Sequence, residues 1–309
     1  MPTVNRREFI NQTSTALLGF ALAGNAVPFN KKYRPLLSFS TLGCPGWTFE
    51  QILNFADENG YDGIELRGIL RQLDLTKCPE FNSKENILST LNLIKQKKVK
   101  IIDLGSSASM HYAEPAARKK NLDEAKEFIQ LAGQIGCPNI RLFPKDFPKD
   151  QEKNETIDLI VKGLQELAVY ANNAGVTVLL ITYGTAVDST DTIEKIMRAV
   201  DHPNVGIGWD VASMWFATKE SPVEVYKRLK KYIRIIHVKD LKLVNGEEQG
   251  ALLGRGDTPI FETMDAMAKD GFNGYYSFEW EKYWQPDILE PEIALTDYAK
   301  VMKKHFKIK

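Results

Sequence analysis

The chain has 309 residues, 43% of them apolar and 26% charged, a balance that supports a sizeable buried core and excludes a disordered or collagen-like chain. Forty basic residues offset forty acidic ones, so no global positive field exists to draw in nucleic acid or an anionic membrane. Three cysteines, Cys44, Cys78 and Cys137, are too few and too scattered for a disulfide framework and lack the CxxC spacing of a structural zinc site, so they read as core residues.

At the start of the chain, Arg6-Arg7-Glu8-Phe9-Ile10 leads into an apolar stretch from Ala16 to Ala23, and Gly24-Asn25-Ala26 offers small residues before a cut. That order is an export signal pattern, and the arginine pair resembles a twin-arginine signal. Residues 1–26 are therefore expected to be the signal and residues 27–309 one domain working in the periplasm. The other reading is a short amphipathic helix docked on that domain. The apolar stretch falls short of the roughly 20 residues that span a bilayer, and no later segment reaches that length, so stable membrane insertion is not expected.

The remainder is close in size to the roughly 250 residues of one (β/α)8 barrel. Eight β-rich runs follow in order: Leu36 to Ser40, Gly63 to Leu66, Lys100 to Leu104, Asn139 to Phe143, Val176 to Ile181, Val205 to Asp210, Ile233 to Val238 and Tyr275 to Glu279. Helical patterns separate them, such as Ile157, Ile160, Val161, Leu164, Leu167 and Ala168, stopped by Gly175. Strand then helix, repeated, implies a parallel sheet, and the fold class is an α/β (β/α)8 TIM barrel. An open doubly wound sheet is disfavoured because no GxGxxG follows the first run, and Gly254-Arg255-Gly256 comes late. Turns at Asn59-Gly60, Gly136-Cys137-Pro138, Asn173-Ala174-Gly175 and Asp270 to Gly274 mark the bottom of the barrel.

Alternation along the strands locates the chemistry. In the sixth run Ile207 and Trp209 face the helices while Gly206, Gly208 and Asp210 face inward. In the eighth, Phe278 and Trp280 face out while Ser277, Glu279 and Glu281 face in. The seventh places Ile235, His237 and Lys239 on one face, with Asp240 just after. Asp210, His237 and Glu279 together offer one imidazole nitrogen and two carboxylates, which a divalent ion (Mn, Mg or Zn) accepts. The alternative is a set of internal ion pairs, with Lys239 and Arg141 neutralising Asp210 and Glu279.

The phrases Ile236-His237-Val238-Lys239-Asp240, Leu253-Gly254-Arg255-Gly256-Asp257 and Tyr276 to Lys282 resemble those of the sugar phosphate isomerase/epimerase family, within the xylose isomerase-like barrels. Gly63-Ile64-Glu65-Leu66-Arg67, Arg141-Leu142-Phe143 and Gly206 to Asp210 fit the same pattern, from about Ser38 to Lys304. The resemblance implies a divalent metal held by a Glu on strand five, an Asp on strand six, a His on strand seven and a Glu on strand eight, and two opposed glutamates that remove and return a proton beside a carbonyl. Asp210, His237 and Glu279 match. Ile181 stands where the strand-five Glu belongs, and Tyr183, Ser213 and Gln285 stand at positions where the family carries further histidines. This implies a weaker metal site unless water, Tyr183 or substrate oxygens complete the shell.

Around this centre, Lys239, Arg141 and Arg255 are expected to supply cations for an enolate-like oxyanion, or for a substrate carboxylate or phosphate. The catalytic set is accordingly Glu279, His237, Lys239 and Arg255. Substrate contacts are expected from Glu65, Arg141, His111 and Glu281, and from Trp47, Trp215 and Trp284, whose rings suit sugar C–H faces. The expected activity is that of a sugar isomerase or epimerase on a free, oxidised or keto sugar. The alternatives are a keto-glycoside lyase or hydrolase on the same scaffold and a non-catalytic sugar-binding barrel. A nuclease of the endonuclease IV branch would need more than four histidines and a positive field. Partners are thus a small-molecule sugar, with no nucleic acid, and a homo-oligomer is left open.

Overall fold

The computed structural model describes residues 33–308. The export signal expected at residues 1–26 lies outside the described residues. Eight parallel strands close into a barrel in the order β1-β10-β7-β6-β5-β4-β3-β2. They are β1 (Leu36–Ser40), β2 (Gly63–Leu66), β3 (Lys100–Ser109), β4 (Asn139–Phe143), β5 (Thr177–Ile181), β6 (Val205–Asp210), β7 (Ile233–Val238) and, eighth in the barrel, β10 (Tyr275–Phe278). Strands β8 (Asp240–Val244) and β9 (Glu247–Ala251) form a separate antiparallel hairpin.

The helices are α1 (Phe49–Asn59), α2 (Lys84–Lys95), α3 (Pro115–Ile135), α4 (Lys153–Ala174), α5 (Thr190–Val200), α6 (Val211–Thr218), α7 (Pro222–Leu229), α8 (Ile260–Lys269) and α9 (Pro291–His305). Helix α1 starts in a capping box between Thr48 and Gln51, which satisfies two backbone donors that the first turn leaves open. The turns expected at Gly60, Gly136 and Gly175 end α1, α3 and α4 with left-handed caps. No described helix is long and apolar enough to cross a membrane.

The side-chain alternation expected from the sequence sorts the core into two shells. Outward residues pack under the helices: Trp209 stacks on Tyr226 with ring centroids 6.3 Å apart, and Phe278 on Tyr298 at 4.6 Å. Each such ring is buried and contributes roughly 1.5–3 kcal/mol through the apolar surface it removes from water. Inside the barrel, Ile102, Leu179 and Ile235 form an apolar plug, with Tyr275 packed against it. Cys44, Cys78 and Cys137 are buried free thiols, as the core reading requires. The plug closes the bottom, so the polar residues one layer higher face a single opening.

Candidate active site

The strand ends above the plug carry the ionisable groups. His237 lies two residues along β7 from Ile235, so the same face of the strand supplies plug and site. Its Nε2 is 2.9 Å from Glu65 Oε2, and its Nδ1 is 3.3 Å from Glu279 Oε1. Glu65, from β2, also accepts a hydrogen bond from Ser277 Oγ at 3.0 Å. Arg141, from β4, approaches Glu65 Oε1 at 3.5 Å and Glu279 Oε1 at 4.0 Å. Lys239 Nζ reaches three carboxylates: Asp210 at 2.9 Å, Glu279 at 3.1 Å and Glu281 at 3.0 Å.

This packing of charge fixes protonation. Burial alone would raise the Glu279 carboxyl, but His237, Lys239 and Arg141 outweigh it and hold the group down at about 2. Burial likewise favours a neutral His237, and the Glu65 and Glu279 carboxylates reverse that, lifting the imidazole to about 9. At neutral pH the pair is therefore carboxylate and imidazolium. Burial and the neighbouring Glu65 charge push Asp103 well above the ordinary carboxylate range. The environment drives neighbouring titratable groups apart, which is how one site holds an acid and a base together.

A cavity of about 480 Å³ opens over this cluster, with His237, Glu279, Asp210, Arg67, Arg141 and Ile181 among its walls. Its size suits a small polar molecule. The Nη1 atoms of Arg67 and Arg141 are buried with no hydrogen-bond partner, an arrangement native proteins rarely leave outside functional sites. Both arginines line the cavity and bring two positive charges to its wall.

The residues singled out from the sequence divide into two groups. Glu65, Arg141, Asp210, His237, Lys239, Glu279 and Glu281 converge as described, and Trp284, 55% exposed, lines the cavity rim. Arg255 does not join them. The Asp240 carboxylate accepts hydrogen bonds from the backbone N–H groups of Gly254, Gly256 and Thr258 at 2.9, 2.9 and 3.2 Å, so the loop turns its backbone inward. A Cβ at Gly256 would lie 2.2 Å from Asp240 Oδ1, which is why glycine stands there. Arg255 consequently points outward and pairs with Asp297 at 3.2 Å, its side chain 65% exposed.

Trp47 is drawn onto Phe55 of α1, ring centroids 4.9 Å apart, and Trp215 packs on Phe216 and under Lys219. Neither lines the cavity. His111 is buried beside Tyr112 and also lies outside the cavity wall.

The metal-ligand set assembles differently from the expected triad. The donors that come together are Glu65, His237 and Glu279, all within 4.8 Å of one another. Asp210 is engaged elsewhere: Oδ1 accepts the Ser213 N–H at 2.9 Å as the N-cap of α6, and Oδ2 faces Lys239. Ile181, at the family's strand-five position, is buried and apolar. One ring nitrogen and two carboxylate oxygens fit a borderline divalent ion in donor chemistry. The imidazole proton competes for the same place, because a metal ligand must be deprotonated.

Sequence reasoning missed Asp103 and gave no role to Arg67. The signal for Arg67 was present, since Gly63, Glu65 and Arg67 share one face of an extended segment. Asp103 was hidden by a register shift: Ile64 pairs with Ile101 but Glu65 with Asp103, so Ile102 is an extra residue that breaks the alternation.

A closed parallel barrel with its ionisable residues at the strand C-terminal ends defines a TIM-barrel protein with a site at the expected mouth. More narrowly, the family described as xylose isomerase-like TIM barrel matches residues 53–305, and the chain belongs to it. A 3-dehydroshikimate dehydratase of Bacillus anthracis is 26% identical over 80% of this chain and 91% of its own length. An inosose dehydratase of Clostridium beijerinckii is 25% identical over 86% of this chain and 95% of its own. The crystal structure of a zinc-bound IolI protein superposes with a TM-score of 0.74 at 20% identity, covering 88% of this chain and 98% of that one.

Proposed function

We propose that this chain is an enzyme acting on a polyhydroxylated ketone, a keto sugar or keto cyclitol, by removing the proton beside the carbonyl and then expelling a β-hydroxyl as water. The observation that carries this reading is the Glu279 carboxylate next to the His237 imidazolium, 3.3 Å apart at the cavity wall. Two-base epimerisation needs carboxylates on opposite faces of the substrate. Here the apolar Ile181 occupies the β5 wall, so Glu279 meets no carboxylate from that side. The dehydratases similar to this chain support elimination over isomerisation, although both begin with the same proton transfer.

In the proposed sequence, Glu279 takes the proton, and the C–H electron pair moves through the carbon framework onto the carbonyl oxygen. The guanidinium charges of Arg67 and Arg141 at the cavity wall stabilise that oxyanion. The enolate then re-forms the carbonyl and breaks the bond to the β-hydroxyl, which leaves as water with a proton from His237. Glu279 and His237 are close enough to exchange the proton afterwards and reset the site. A divalent ion held by Glu65, His237 and Glu279 would require a neutral imidazole, so it would supply carbonyl polarisation in place of the imidazolium acid and not alongside it.

The Arg6-Arg7 signal pattern supports action outside the cytoplasm, on an unphosphorylated substrate, which fractionation of the expressing cells checks. The chemical test is incubation with 3-dehydroshikimate, an inosose and a keto-hexopyranoside in D2O. Elimination gives a new conjugated absorbance, an aromatic one from 3-dehydroshikimate, which is already an enone, together with loss of one C–H signal. A keto substrate recovered with deuterium and inverted configuration would instead identify an epimerase.

A further inference from the structure

A second cavity of about 330 Å³ adjoins the first, and Lys145 and Tyr183 line both. We infer that this cavity is a subsite for a second sugar ring, so that the preferred substrate is a glycoside or disaccharide. This rests on reading the first cavity as the reacting site.

The wall is built by two loops fastened together. The Ala186 N–H donates to the Lys145 carbonyl at 3.1 Å, the Phe147 N–H to Thr185 Oγ1 at 3.0 Å, and the Thr185 hydroxyl to Asp146 at 3.3 Å. Gly184 passes so close that a Cβ there would lie 2.1 Å from the Lys145 carbonyl oxygen, and its φ is +104°. Any side chain at this position would part the loops. A wall so constrained is organised before a ligand arrives, which lowers the ordering cost of binding.

The lining identifies the occupant. Lys145, Asp146 and Glu248 enter no ion pair among the described residues, and they meet a tyrosine ring and the small apolar surface of Met214 and Ala217. Two carboxylates against one ammonium disfavour a phosphate or an acid. Hydroxyl groups suit both charge signs, and a flat ring suits the C–H face of a pyranose. Tyr183, 42% exposed, stands between the cavities, where the bond joining two rings would pass.

The test is calorimetric binding of glucose and of its disaccharides maltose, cellobiose and trehalose to the full chain and to Ala217→Trp. Ala217 is exposed on α6, so the larger ring enters the second cavity without disturbing the core, and melting temperature checks the fold. At least one disaccharide is expected to bind about tenfold more tightly than glucose, and Ala217→Trp is expected to abolish that advantage. Equal affinity for all four sugars, or an advantage that survives the substitution, overturns the subsite. Proton exchange with solvent reports separately on the first cavity. Equal affinities with intact exchange remove only the second subsite, whereas a disaccharide preference without exchange removes only the enzymatic reading.

Discussion

Two layers of the barrel interior, one residue pair apart on the same strands, have opposite characters. The lower layer is apolar, made by Ile102, Leu179 and Ile235. The upper one holds Glu65, His237, Glu279, Lys239 and Asp210, joined in that order by a chain of ion pairs. On β7 the change takes a single step, from Ile235 to His237. The plug stabilises the fold through burial alone, whereas the upper layer keeps charges out of water and offsets that cost only by neutralising each with others. Stability and chemistry are therefore separable by substitution.

The largest loss of stability is expected for Lys239→Met. It leaves the Asp210, Glu279 and Glu281 carboxylates facing each other, and removing one partner of a buried pair costs roughly 3–5 kcal/mol. Urea unfolding measures this, and activity should fall with it. Ile235→Ala should cost about 2–5 kcal/mol by opening the plug, while kcat per folded molecule stays within about twofold. If Ile235→Ala abolishes turnover without unfolding, the two layers are not separable.

A smaller effect comes from pH. The His237 imidazole is raised above its ordinary 6.5 to about 9 in the folded chain, so its contribution is fully present below pH 6.5 and lost as pH rises through 9. Melting temperature should fall across that window. His237→Gln should flatten the decline. The smallest effect is expected at Arg255→Ala, an exposed pair with Asp297 worth no more than about 1 kcal/mol, with kinetics unchanged.

Much of this division was legible in the sequence. The alternation of Gly206, Gly208 and Asp210 against Ile207 and Trp209 gave both the barrel and the inward acids, because a strand has one period and a barrel one mouth. Spacing does not say whether a loop presents its side chains or its backbone. Arg255 between two glycines suggested a cation at the mouth, yet the backbone N–H groups, bound to Asp240, face inward. The β8–β9 hairpin was also overlooked, although Asn245-Gly246, at φ 53° and 86°, is the two-residue turn such a hairpin favours. Nor does strand parity tell which carboxylate approaches His237. Glu65 does so from β2, while Asp210 is taken by Lys239.

The central claim is that Glu279 removes a proton beside a carbonyl, and solvent exchange by Glu279→Gln tests it most directly. With a keto substrate in D2O, the unsubstituted chain should exchange or eliminate one C–H. The amide, unable to accept a proton, should slow that step by about 10²–10⁴ while the protein remains folded. Undiminished exchange by Glu279→Gln, or elimination in which the C–H beside the carbonyl is retained, would contradict the account.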